Sequence, residues 1–564
     1  MLSWTEIPFK SERPPARDVR GMVNRVHCID FALREVQNCR GGLTNMSRNL
    51  RGDMPQRKSD EFLSRRRLFK RTGLLIAAAA LHPAGRAWAA MAGLPDDILG
   101  DDDLPSDVRA PGVSPMMAKL SAYMSAAAGR ALPEEVAEKA KQHTLDTLAA
   151  MISGSELPPG QAALKFARAY GGNQVATVAA SNILCGPIEA ALTNGMLAHS
   201  DETDDSHAPS QSHPGCAVVP AALAAAEQFG IDGMHFVRAV TLGYDVGPRV
   251  TMTLGAEPYE NASHRSTHSI ATTFGAAAAA GCAAGLNTRQ MRWLLNYAGE
   301  QSSGLALWNR DTDHIEKAFD FAGGPARNGV TAAMVVHSGW TGLDDVFSGP
   351  DNFFMAFGPQ ADPNGLIDKL GERYEVARTD IKKWSAGMPI QAPLDAVENM
   401  QKQHQLAAEQ VKEVSVRLAP QEASIVDNRE IPDICLQHII AVMLIDKTVS
   451  FRSAHDKRRM QDPEVLRQRA KVRLLPDEEL GRLMPRRQSI VDITLVDGTT
   501  LHEHVDSVRG TAFNPMTSDE VRAKARDLMT PVLGQASTSK LIEQIFGLEK
   551  VTDIRELRPL LQKV

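Results

Sequence analysis

Alanine constrains this chain more than any other residue. The stretches PAALAAA (Pro220 to Ala226) and AAAAAG (Ala276 to Gly281) favour helix and let helices approach one another closely. Aromatic residues make up only 5% of the sequence. A helix-dominated protein follows. With 564 residues the chain exceeds what one simple core accommodates, so two or more domains are expected.

The periodicity bears this out from Ser114 onward. Pro133 opens PEEVAEKAKQHTLDTLAAMI, with acids in its first turn and Val136, Ala140, Leu145, Leu148 and Ile152 at helical spacing. Further helices are expected over 158–170, 186–198, 217–229, 233–253, 269–285, 288–299 and 326–338, giving an all-helical domain over 114–375. The texture changes after Asp380. VKEVSVRLA (Val411 to Ala419) alternates like a strand, and SIVDITLVDGTTLHEHVD (Ser489 to Asp506) reads as a hairpin turning at Asp497-Gly498. Helical stretches at 432–447 and 463–470 lie between them. The expectation is a mainly α fold: a large helical domain, a smaller α+β lid over 376–512, and C-terminal helices over 513–564 that pack back on the helical domain.

Charge separates the N-terminal region from the rest. Residues 1–90 carry 17 Lys/Arg against 8 Asp/Glu, and the totals of 62 and 68 leave 45 against 60 for the remainder. An acidic body argues against a nucleic-acid partner. Residues 64–70, SRRRLFK, precede a short apolar run, Leu74 to Leu81, and an Ala87-Trp88-Ala89 site. These are the parts of a secretory signal, and Arg65-Arg66 gives it a twin-arginine character. Residues 54–92 therefore read as a signal that directs the protein to the periplasm, with a cytoplasmic location as the alternative. The apolar run is too short for a stable membrane span. Residues 1–53 read as a disordered leader or an over-extended start, and 93–113 as a linker. The six cysteines are scattered without CxxC spacing, which disfavours a zinc or iron–sulfur centre.

The densest chemistry lies in HSDETDDSHAPSQSHPG, from His199 to Gly215. It joins two helices and gathers four acids and three imidazoles, which is costly unless they are solvated, paired or bound to something. Three readings are open: a solvated acidic turn, a divalent-metal site, or general acid/base chemistry on a carboxylate substrate. No HExxH-type spacing supports the metal.

Together with the HPG step and the PA-LA-AE helix that follows, this loop resembles the signature of the MmgE/PrpD family. THSIATTFGAAAAAG (Thr267 to Gly281), EKAFDFAGGPARNGVTAA (Glu316 to Ala333), SGWTGLDDVFSG (Ser338 to Gly349) and IKKWSAGMPIQAPLDA (Ile381 to Ala396) extend the resemblance. It implies a homodimer acting on a di- or tricarboxylate without a cofactor or metal. It places His213, Asp201, Glu202, Asp205 and His268 in proton transfer, and Ser206, Lys317, Arg327 and Lys382 on the substrate. Bidentate arginine and fixed ammonium groups suit carboxylates. One position departs from the pattern: some members, including the decarboxylase, carry a catalytic histidine five residues after the lysine at 382, where this chain has Gly387.

The implied activity is a lyase that dehydrates a citrate-like, 2-methylcitrate-type hydroxy acid. An epimerase of a related dicarboxylate uses the same proton abstraction. An exported carboxylate-binding protein on a degenerate scaffold is the non-enzyme alternative.

Overall fold

The computed structural model describes residues 112–563. The leader, the signal and nearly all of the linker expected from the sequence lie outside the described residues. The labelled helices are α1 (Glu134–Gly154), α2 (Pro187–Ala198), α3 (Gly215–Phe229), α4 (Gly233–Leu254), α5 (Thr267–Ala283), α6 (Gly324–His337), α7 (Met388–Gln403), α8 (Leu436–Asp446), α9 (Ser518–Leu533) and α10 (Gln535–Phe546). The alanine-rich α5 is the axis of the larger body. Every residue from Thr267 to Ala283 is buried, and α3, α4 and α6 pack around it. Small residues make this spacing feasible. A Cβ on Gly247 would lie 2.3 Å from the Ala271 carbonyl oxygen, so the α4–α5 crossing tolerates no side chain there.

The smaller body is built on a four-stranded sheet. A two-stranded ribbon in the helical body, β1 (Ala176–Thr177) with β2 (Leu184–Cys185), comes first in the chain. The sheet proper has β3 (Val411–Leu418), β4 (Val472–Pro476), β5 (Ser489–Leu495) and β6 (Thr500–Val505) in the order β4-β3-β5-β6. The β5–β6 hairpin turns where Asp497-Gly498 predicts, with Gly498 at φ 91°. The sequence does not reveal β4, which runs parallel to β3. α7 and α8 cover the sheet and form with it a second apolar core.

The chain then returns to the first body. Val521, Leu528, Leu541, Ile545 and Leu557 belong to the helical core, and α9 packs along α1. The architecture is thus mainly helical with a small C-terminal sheet body. Among the described residues, no helix is long and apolar enough to cross a membrane.

Candidate active site

α2 ends at Ala198, with His199 capping it, and the chain does not resume a helix of more than one turn until Gly215. The loop between them is not a solvated acidic turn. Asp201, Glu202, Asp204 and Asp205 are 2%, 4%, 0% and 0% exposed. Four buried carboxylates are tenable only with partners, and each has its own set.

Asp204 faces a histidine pair. His213 Nδ1 hydrogen-bonds its Oδ1 at 3.3 Å, and His199 Nδ1 lies 3.0 Å from its Oδ2. Burial works to raise the Asp204 carboxyl, but His199, His213 and Lys382 outweigh it and hold the group well below the usual range. Burial pushes the His199 imidazole down to about 4, against the opposing pull of Asp204. With Nδ1 of His213 engaged, Nε2 is the nitrogen left for proton transfer. Sequence reasoning missed Asp204 as the partner of His213, because nothing local links residues nine apart in a loop.

Glu202 is the hub of the cations. It accepts from the Lys317 ammonium and from His314 Nε2 at 3.1 Å, and Lys382 Nζ lies 3.5 Å from its Oε2. Burial would raise this carboxyl; Lys317 and Lys382 hold it well below its ordinary value. Lys382 also donates to the Glu202 carbonyl at 2.8 Å and sits 3.8 Å from Asp204. Lys382 belongs to the segment that enters the smaller body, so this buried ammonium joins the two bodies at the acidic loop.

Several expectations need correction. Asp205 does not reach the cavity: its oxygens are taken by His143 at 2.8 Å, by Tyr244, and by the Gly215 amide at 3.0 Å at the start of α3. Asp201 also points away, toward Thr203 and His455, whose Nε2 is 2.9 Å from its Oδ2. Both brace the loop, and neither lines the cavity. Lys382 is fully enclosed by the acids it neutralises and contributes no cavity wall. Arg327 lies on α6, with its guanidinium on Asn328 Oδ1 and above the Phe319 ring. It too is outside the cavity.

The remaining expected residues come together. Glu202, Ser206, His213, His268 and Lys317 line one cavity of about 100 Å³ between the two bodies. Ser206 is held there by paired main-chain hydrogen bonds with Asp380 at 3.0 and 2.8 Å. His268, in the first turn of α5, stacks on Phe321 with centroids 3.8 Å apart. His199 stacks on the same ring at 4.8 Å. Burial, with His213 and Lys317 nearby, holds the His268 imidazole well below its ordinary value, and its Nδ1 has no partner among the described residues. Lys317 Nζ sits 5.1 Å and 5.2 Å from the Phe321 and Trp308 ring centroids. Such aromatic faces favour a cation.

Two local irregularities place these groups. Phe319–Gly323 is a π-helical turn between Lys317 and α6; such turns cluster at functional sites. His314 has φ 65°, a conformation that costs energy outside glycine and persists where surroundings enforce it. Asp311 supplies that enforcement, accepting from the amides of Asp313, His314 and Lys317. The smaller body closes the cavity with Gly387, Met388, Pro389, Ile425, Arg429 and Arg487. Sequence reasoning missed Trp308, His314, Arg429 and Arg487, which come from segments without a motif.

Two groups of side chains are close enough to share a metal ion: His199 with Asp204 and Cys216, and His199 with Glu202 and His314. Their chemistry fits an ion poorly. Glu202 already neutralises the Lys317 ammonium, and Asp204 lies against two imidazoles and Lys382. A dication would face those fixed charges at close range.

A helical body and a small sheet body thus enclose buried carboxylate–histidine pairs and a fixed ammonium. Residues 118–365 match the MmgE/PrpD N-terminal domain and residues 384–548 the MmgE/PrpD C-terminal domain; the chain belongs to the MmgE/PrpD family. It is 25% identical over 466 residues to the cis-aconitate decarboxylase of Aspergillus terreus, covering 76% of this chain and 92% of that protein. It is also 24% identical over 487 residues to the cis-aconitate decarboxylase-like protein oryM of Aspergillus oryzae, covering 76% and 94%. The human cis-aconitate decarboxylase is 25% identical over 456 residues, covering 76% and 91%.

Proposed function

We propose that this protein is a lyase acting on a citrate-like tricarboxylate by general acid/base catalysis, with dehydration of a hydroxy acid as its first reaction. The observation that carries this reading is His213, which lines the cavity with Nδ1 held by the buried Asp204. A carboxylate so placed fixes the imidazole and stabilises the imidazolium that forms when Nε2 takes a proton. His213 removes the proton α to a carboxylate, the Lys317 ammonium stabilises the enediolate charge, and the β-hydroxyl leaves. Gly387 brings no imidazole from the smaller body, so His213 returns its proton to the departing oxygen and water is released. His268, neutral and stacked on Phe321, borders the same space and hydrogen-bonds the substrate.

The names of the relatives favour a second reading, decarboxylation of cis-aconitate. There the C–CO₂ bond breaks and the His213 imidazolium protonates the carbon at the far end of the rearranging double bond. Proton NMR of the purified protein with citrate, 2-methylcitrate and cis-aconitate separates the two. Dehydration gives an unsaturated product from a hydroxy acid, seen as a vinylic proton from citrate or as an allylic methyl singlet from 2-methylcitrate; decarboxylation gives a methylene product from cis-aconitate. If neither forms, the lyase reading is wrong, and tight carboxylate binding without turnover would replace it with a binding protein. The reading includes a homodimer, checked by light scattering. It also includes export through the signal at 54–92.

A further inference from the structure

The smaller body brings two guanidinium groups to the cavity, Arg429 and Arg487, and the proton-transfer chemistry uses neither. Arg487 stands just before β5, and its side chain is 11% exposed. One nitrogen is tied down: Nη1 donates to Glu422 Oε1 at 2.6 Å. Glu422 is itself buried at 2% exposure and rises from the segment after β3, so the guanidinium has a fixed position. Its Nε is buried and has no hydrogen-bond partner among the described residues. A buried donor left unpaired is costly and marks a place where an acceptor belongs. Arg429 donates only to the Ile425 carbonyl, at 3.2 Å, and forms no ion pair with a carboxylate among the described residues. On the opposite wall the cavity's ammonium, Lys317, is already matched by Glu202. Arg487 is likewise matched in charge by Glu422, so what the sheet body adds to the cavity is the free Nε donor of Arg487 and the guanidinium of Arg429, which has no carboxylate partner among the described residues.

We infer that Arg487, positioned by Glu422 and assisted by Arg429, binds a distal carboxylate of the substrate, so that a tricarboxylate spans the two bodies while its reacting end lies against His213 and Lys317. The inference rests on the polycarboxylate reading above and adds to it the residues that select three carboxylates over two. A planar fork with donors on adjacent nitrogens matches a carboxylate in two-point fashion, which an ammonium does not. On this assignment a tricarboxylate has a carboxylate to spare for Arg487 once its reacting end is held at Lys317, and succinate has fewer to divide between the two groups.

The test is calorimetric titration of the full chain with propane-1,2,3-tricarboxylate and with succinate. Wild type is compared with Arg487→Gln, Arg487→Lys and Arg429→Gln. Because Arg487→Gln leaves Glu422 without its partner, the double variant Arg487→Gln/Glu422→Gln keeps the comparison usable if the single variant is unstable. Arg487→Gln, or the double variant, weakens tricarboxylate binding by about 10-fold or more and changes succinate affinity by less than about 2-fold. The Lys variant falls between, because it keeps the charge and loses the fork. Equal loss for both ligands, or none for either, overturns the distal-carboxylate assignment and leaves the polycarboxylate site standing. If wild type binds neither ligand, the polycarboxylate reading fails and this inference fails with it.

Discussion

Replacing Glu202 by Gln removes the charge that three cationic or protonatable groups share. The consequence is calculable. Lys382 keeps the Glu202 carbonyl at 2.8 Å and Asp204 at 3.8 Å, so most of its compensation survives. Lys317, only 12% exposed, loses its carboxylate entirely. Removing one partner of a buried ion pair costs about 3–5 kcal/mol, and the low end applies because Lys317 retains some solvent. Unfolding entropy is roughly 2.1 cal/mol/K per residue, so a body of about 450 residues loses about 3 °C in Tm for that cost. The assay is thermal unfolding of both proteins with and without propane-1,2,3-tricarboxylate. Without the competing Glu202 carboxylate, Lys317 holds the ligand more strongly, so the ligand raises the Tm of the variant more than that of wild type. The pH dependence has a definite sign. The folded-state pKa of Glu202 lies well below its ordinary value, so its contribution is present above the unfolded value of about 4.3. The gap between the proteins therefore holds at pH 7 and narrows as pH falls below about 4. An unchanged or raised Tm for Glu202→Gln without ligand would refute the hub assignment.

Three further perturbations probe other parts of the molecule. Burial opposes charge on His455, but Asp201 and Asp433 outweigh it and push the imidazole up to about 9. Its contribution, on the order of 3 kcal/mol, is therefore full below about pH 6.5 and lost as pH rises through 9; in His455→Gln, urea unfolding loses this slope between those limits. Gly387 has φ −50° and ψ 144°, open to any residue, and a Cβ there meets only Ile434 Cγ2 closely, at 3.3 Å. Gly387→His should fold and raise cis-aconitate decarboxylation by at least about 10-fold, within the range of a positioned acid or base; no gain would mean that the missing imidazole does not limit that reaction. Changing Arg65-Arg66 to Lys-Lys abolishes accumulation in the periplasm of a bacterial host, seen by fractionation; unaltered export refutes the twin-arginine assignment.

Helices were the legible part of this sequence. Alanine runs and the 3.6-residue period persist over three or more turns, and the expected spans 158–170 and 186–198 fall within a residue of Pro158–Tyr170 and Pro187–Ala198. The strand Val472–Pro476 was not legible. It is five residues long and pairs with β3 only, so it shows neither alternation nor a continuous apolar run. At the site, the sequence identifies the loop but not the direction of each side chain within it. Asp201, Glu202, Asp204 and Asp205 are chemically alike and nearly adjacent, and only the path of the folded loop sends Glu202 to the cavity and Asp205 to His143 and Tyr244. Arg327 misleads for a related reason: its helix follows the π-turn after Lys317, and its side chain turns to Phe319 and Asn328. Arg429 and Arg487 lie in segments whose meaning depends on β3 and β5 being neighbours, a long-range fact that no local pattern carries.

In the proposed chemistry the Asp204-held imidazole of His213 moves the proton next to a carboxylate. Its most direct test is NMR in deuterated water with a citrate-like hydroxy acid, comparing wild type with His213→Ala. Wild type should form unsaturated product or exchange deuterium at the carbon α to a carboxylate, and the variant should be slower by about 10²–10⁴-fold while still folded. Turnover within a few-fold of wild type in His213→Ala would contradict a proton-transfer role for His213.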